Sequence, residues 1–219
     1  MKNLVVALAA IVLSHFALSH PLRAPLVARL GEKGFLGLYS LVAFATLGWA
    51  GWAFGEAPRG PLLFAPGDGA WIVASALTVV ALVLLLGSLR GNPALPGAEG
   101  TAPASPTGVF EVTRHPMMWG IALWAIAHAI VMPDPRTLVL MGAMAVLALV
   151  GSALQDAKKR RLDPAWPHWQ AQTRFVPNLL RLPGAGVAIW LAALAAWLAA
   201  TWAHGPLGGI AAGVWRWLS

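Results

Sequence analysis

The stretch AWIVASALTVVALVLLLGSL (residues 70–89) runs for twenty residues without a charge. At about 1.5 Å per residue, a helix of that length crosses a bilayer core of about 30 Å, and in hydrocarbon only a helix or a closed barrel satisfies its own backbone. Working outward, five more segments approach the same requirement: 3–18, 36–54, 116–131, 136–154 and 185–203. Two of them, 3–18 and 116–131, are short, so their ends are expected at the membrane interface. The chain therefore reads as all-α, a polytopic transmembrane bundle of about six spans forming one domain over 1–219. Its composition agrees: 11% of residues are charged, against about 25% in a soluble domain.

Loop charge sets the expected orientation. Segments 19–35, 90–115 and 155–184 hold eleven of the fifteen Lys and Arg. The alternate connections and the two ends hold only Lys2, Arg59, Arg136 and Arg216. The positive-inside rule then places both termini outside the cytoplasm and three basic loops within it. The opening MKNLVVALAAIVLSHFALSH has no clear small-x-small cleavage site, so it is expected to be a retained first span. Trp49, Trp52, Trp71 and Trp202 are expected at the outer interface. The basic residues are positioned for lipid headgroups, and no nucleic-acid partner is implied.

Two connections differ in character. Residues 91–112, beginning GNPALPGAEGTAPASPTG, lack apolar periodicity and read as a flexible cytoplasmic loop. Residues 155–179 mix bases with Trp166 and Trp169; Lys158 to Arg161 are expected to face headgroups, with the tryptophans in the interface. Asp163-Pro164 should break any long helix there. Gly48, Gly51, Gly87, Gly120 and Gly151 are expected at close helix contacts.

With no cysteine, neutral-pH proton or metal chemistry falls to six histidines. Ionisable groups within spans are costly and mark candidate sites, although one interhelical hydrogen bond also accounts for a membrane histidine. On the expected topology, His15 ends the first span and His115 begins the fourth at the same membrane face. His128 is about 20 Å further across and turned roughly 140° around the helix, so one centre cannot take both His115 and His128 from a straight helix. His15 and His115 share a depth. Pro116 suits the first helical position, which makes His115 the cap residue; the helix dipole there favours neutral imidazole, the form that ligates a metal. Arg23 and Arg114 lie near this face, able to pair with carboxylates or phosphates or to snorkel to headgroups. Two histidines on facing helices with nearby arginines can hold haem through its iron and propionates. Glu111 and Asp156 are candidate salt-bridge partners of Arg114 and Lys159. His20, His168 and His204 read as ordinary interface residues, and His128 as a packing or hydrogen-bonding residue.

The blocks HFALSHPLRAPLVARLGEKGFLGLYSLVA (15–43), TRHPMMWGIALWAIAHAI (113–130) and DAKKRRLDPAWPHWQAQTRFVP (156–177) resemble, in that order, the NnrU family of bacterial membrane proteins. The resemblance implies a multi-pass inner-membrane protein associated with denitrification and nitric oxide metabolism. The same superfamily includes the 15-cis-zeta-carotene isomerase, a haem b membrane enzyme with histidine ligation. What that implies here is haem b held by His15 and His115, with His128 at the position of the family's second histidine, and a hydrophobic small-molecule substrate. Geometry prefers His115 over His128 as the second ligand, and both stay open. RHPMMWG (114–120) is also similar to the RHPxYxG motif of isoprenylcysteine and phospholipid methyltransferases, which bind S-adenosylmethionine. Met118 stands where the tyrosine would be, and the usual Glu-Glu pair after the next span is absent. A third reading is a non-enzymatic membrane accessory or assembly factor in denitrification.

Overall fold

The computed structural model describes residues 1–95, 98 and 100–218. Among these residues seven α-helices follow one another: α1 Lys2–Ser19, α2 Arg23–Glu56, α3 Asp68–Gly87, α4 Pro116–Val131, α5 Pro135–Leu162, α6 Trp166–Gln172 and α7 Val187–Gly208. Short 3-10 turns occupy Gly108–Glu111, Leu179–Ala185 and Gly213–Trp217, and the described residues contain no strand. Five of the helices are long and apolar enough to cross a membrane, and α4 is a shorter apolar helix. These six are the segments expected from the sequence. Their outward faces carry bare apolar side chains such as Leu41, Phe44 and Leu191, which suits lipid as the surrounding solvent.

Packing runs through the bundle as a chain of neighbours. α7 lies on α3, α3 on α4, α4 on α5, α5 on α1, and α1 on α2. Six antiparallel passes put the termini at one end of the bundle. The connections 20–22, 88–115 and 163–186 lie at the other, together with the helix ends that carry Arg23, Arg29, Lys33 and Lys158 to Arg161.

Two helices outrun their apolar segments. α2 starts at Arg23 and is broken at Gly31, whose φ of 69° is left-handed backbone that glycine adopts without steric cost. α5 continues to Leu162, so Asp156 to Arg161 are helical. It begins on an Asp134 cap, whose carboxylate accepts from the backbone N–H of Arg136 and Thr137 and from the Thr137 hydroxyl. Helix α5 stops at Asp163, as the Asp-Pro step requires.

The tryptophans of the 155–179 segment are not interfacial. Trp166 and Trp169 are fully buried, packed with Val83, Leu84, Phe110 and Val112 under the ends of α3 and α4. Trp71 is also buried, with the Arg216 guanidinium 4.7 Å from its ring centre. Trp49, Trp52 and Trp202 are exposed. Of the flexible loop expected over 91–112, residues 96, 97 and 99 lie outside the described residues. Its neighbours make specific contacts: Gln155 donates to the Ala94 carbonyl, Lys159 to the Leu95 carbonyl at 3.3 Å, and Gly100 N–H to Asp163 at 3.1 Å.

Among the five glycines expected at helix contacts, two are needed there. A Cβ on Gly120 would lie 2.7 Å from the Ala81 backbone oxygen, so α3 and α4 can approach this closely only over a hydrogen; at Gly87 it would overlap Val109. Gly48 and Gly51 face open space, and Gly151 makes an ordinary contact with Phe16. Gly120→Ala is expected to push α4 off α3 at a cost of about 1–3 kcal/mol, read as a lower melting temperature in detergent. Gly48→Ala should be neutral or stabilising by up to about 1 kcal/mol. Equal effects at the two positions would contradict the close contact.

Candidate functional site

The site begins with four residues before α4. Thr113 donates its hydroxyl to the Phe175 carbonyl at 2.7 Å, Arg114 N–H donates to Arg174 O at 2.8 Å, and Asn178 N–H donates to Val112 O at 2.8 Å. Trp119, one turn into α4, adds an indole N–H to Phe175 O at 2.8 Å. Residues 112–119 are thereby stitched to 174–178. His115 sits at the cap position with extended φ of −121°, and Pro116 occupies the first helical position. The expected cap geometry is present, although no side chain caps the helix.

Held this way, Arg114 and His115 converge on one carboxylate from α5. The Arg114 guanidinium donates to Asp156 through Nε at 2.8 Å and through its terminal nitrogen at 2.6 Å. His115 Nε2 lies 2.8 Å from Asp156 Oδ1. The side chains of Arg114, Asp156 and His115 are 11%, 5% and 2% exposed. An ion-paired carboxylate only accepts, so His115 donates through Nε2–H. In the neutral ring, Nδ1 then keeps its lone pair, and it has no hydrogen-bond partner among the described residues. Phe175 packs edge-on to His115 with its ring centre 5.5 Å away and lies 5.3 Å from the Arg114 guanidinium carbon.

His115 lines a cavity of about 450 Å³ bounded by α1, α2, α4 and α5. His15 lines the same cavity from α1, its Nε2 2.6 Å from the Tyr39 hydroxyl, which in turn lies 3.2 Å from Ser19 Oγ. The walls are mostly apolar and include Met117, Met118 and Met144. Arg23, His20 and Lys158 line it near the connection end. Arg23 is ion-paired with Glu32 at 3.1 Å. Burial, and secondly the charge of Lys158, hold the His20 imidazole below its ordinary pKa. Asn92, Ala94 and Leu95 complete the lining, brought there by the Gln155 and Lys159 hydrogen bonds.

The cavity thus brings His15, His115 and Arg23 together, with Arg114 behind His115 on Asp156. His128 is elsewhere: it lines a second cavity near the termini, bounded by α3, α4 and α7. Glu111 pairs loosely with Arg181 at 3.9 Å, not with Arg114. No group of three or more His, Asp or Glu able to share a metal ion occurs among the described residues. Sequence reasoning missed Tyr39 and Gln155. Tyr39 left a usable signal, since it is the single tyrosine of the chain and lies in an apolar span.

Neither the curated proteins nor the solved structures contain a match to this chain. The family model described as NnrU protein matches residues 3–212, and on that nearly end-to-end match the chain belongs to the NnrU family.

Proposed function

We propose that this NnrU-family membrane protein binds haem b in the cavity between α1, α2, α4 and α5, serving redox or nitric oxide-linked metabolism or the cis–trans isomerisation of a hydrophobic polyene. The observation that carries the reading is that His15 and His115, on two different helices, line one largely apolar cavity. Its volume of about 450 Å³ falls within the usual range for small-molecule sites, about 300–1,000 Å³.

The donor set fits the group. With Nε2–H given to a carboxylate, His115 would ligate through Nδ1, and a carboxylate behind an imidazole orients a ligand and raises its basicity. His15 offers Nε2 once the Tyr39 hydroxyl turns aside. Arg23 and Lys158 give the connection end a cationic character suited to propionates, with the His20 imidazole beside them as a neutral hydrogen-bonding group. Methionines and leucines line the rest of the walls, an apolar surface that suits a porphyrin face. Haem, when bound, supplies a redox-active iron whose potential depends on axial ligand and burial. Arg114 is committed to Asp156, so the S-adenosylmethionine alternative finds no uncommitted cation at its motif.

Purified in detergent after expression with ample haem, the protein is expected to show a Soret band and a haem b pyridine haemochrome. His15→Ala and His115→Ala should each shift or abolish the band, whereas His128→Ala should leave it. A protein with no Soret band would sink the haem reading.

The same reading places the protein in the bacterial inner membrane with its N-terminus outside, supported by the eleven of fifteen basic residues that fall within 19–35, 90–115 and 155–184, toward the cavity end. The chain has no native cysteine, so single-cysteine labelling is free of background. Ala65→Cys should react with an impermeant maleimide in cells whose outer membrane alone is opened. Ala104→Cys should react only after the inner membrane is broken, and the reverse pattern would invert the topology.

A further inference from the structure

The second cavity holds a pair of histidines that the haem reading does not use. α4 and α7 both pack on α3, and between them lies a groove of about 370 Å³ near the terminal end of the bundle. Trp71 and Thr78 of α3 belong to its floor, His128 projects from α4, and His204 projects from α7. The two imidazole ring centres are 6.2 Å apart, with their planes inclined by 30°.

Each ring is oriented in the same way. His128 Nδ1 lies 2.8 Å from the Trp124 carbonyl, and His204 Nδ1 lies 2.7 Å from the Ala200 carbonyl, both one helical turn earlier. A carbonyl only accepts, so both Nδ1 atoms carry a proton, and in neutral rings both Nε2 atoms keep a lone pair. Neither Nε2 has a hydrogen-bond partner among the described residues. This is the tautomer in which imidazole ligates a metal, with the backbone carbonyl behind it fixing the ring. Two imidazoles on one two-coordinate ion, at about 2.0 Å per metal–nitrogen bond, have ring centres roughly 6 Å apart. The observed ring-centre separation of 6.2 Å equals that spacing when both Nε2 atoms turn toward the ion.

The surroundings choose the ion. Among the described residues no carboxylate and no cationic side chain lines the groove, so a bound ion keeps its whole charge beside apolar walls. That penalty grows steeply with charge and favours a monovalent ion over a divalent one. Zinc also wants four ligands, which the groove does not supply. Met132, one turn beyond His128, lines the same cavity, and a soft thioether beside imidazole suits Cu(I). We propose that His128 and His204 form a Cu(I)-binding site at the terminal end of the bundle, separate from the cavity of His15 and His115.

The test is a titration of the detergent-purified full-length protein with Cu(I) against a colorimetric Cu(I) chelator, without oxygen, with Zn(II) run in parallel. One Cu(I) per chain is expected, with Zn(II) weaker. Loss of a residue that merely orients a ligand costs about 10–100-fold in affinity, so loss of a ligand in His128→Gln or His204→Gln should cost more than about 100-fold. His20→Gln should bind as the parent does. His204 is exposed, so His204→Gln is the decisive variant, with an unchanged melting temperature of the metal-free protein as its control. Unchanged Cu(I) binding in that variant, or Zn(II) binding more tightly than Cu(I), overturns the proposal. A haem Soret band that disappears in His128→Gln and His204→Gln, and persists in His15→Ala, also overturns it by making the groove a haem site.

Discussion

Asp156→Ala is expected to destabilise the protein by about 3–5 kcal/mol, the range for removing one partner of a buried ion pair. The carboxylate accepts from Arg114 Nε, from an Arg114 terminal nitrogen and from His115 Nε2. Without it, a guanidinium only 11% exposed keeps a single acceptor among the described residues, the Thr173 carbonyl at 3.4 Å. The cost is the uncompensated charge, so it should be largely relieved by removing the charge as well. Arg114→Met combined with Asp156→Leu should therefore recover most of the loss, a strong departure from additivity. Asp156→Asn should fall between, since its amide oxygen still accepts. Arg114→Lys should be poorly tolerated, because an ammonium cannot reproduce the two-nitrogen fork. Thermal unfolding in one detergent compares all four. Parent-like melting of Asp156→Ala would remove the network from any structural role.

The same substitution reaches the cavity. Asp156 fixes which His115 nitrogen carries the proton, so any ligand held by Nδ1 should change its spectrum in Asp156→Asn, even where that variant stays folded. A purely structural ion pair would leave the spectrum alone.

How much of this was legible beforehand depends on the physical range of each interaction. The six spans were legible because apolar length is a property of consecutive residues, and the stop at Asp163-Pro164 is local too. The common depth of His15 and His115 followed from topology alone, and the structure sets both on one cavity. Asp156 was recognisable as a partner for a basic residue because a carboxylate this close to apolar sequence needs one. What stayed hidden was long-range and independent of residue type. The 112–115 segment binds 174–178 through backbone carbonyls, which every residue carries. Gln155 reaches Ala94 in the same way. His204 looked like an interface residue, and only the shared seat of α4 and α7 on α3 brings it to His128.

Trp166 shows where reading by residue type goes wrong, and Trp166→Ala is expected to cost about 3–5 kcal/mol. Tryptophan beside a basic run is usually an interfacial anchor, and an anchor's removal changes little in a detergent-solubilised fold. Trp166 is instead 0% exposed, and it shares its cluster with Trp169, Val83, Leu84, Phe110 and Val112. Its indole N–H finds no acceptor among the described residues, so the contribution is packing rather than hydrogen bonding. Trp166→Phe, which keeps an aromatic ring and drops the unsatisfied donor, should therefore lose much less than Trp166→Ala. Trp202, 61% exposed on α7, is the interfacial comparison, and Trp202→Ala should stay within about 0.5 kcal/mol. The Trp166 ring centre lies 6.3 Å from that of His115 and 5.9 Å from the Lys159 ammonium. A void there would loosen the wall behind the imidazole as well as the core. Near-equal melting temperatures for Trp166→Ala and Trp202→Ala would return both residues to the interface. A large gap, with Trp166→Phe close to the parent, would make the short α6 a wedge that holds the His115 network closed.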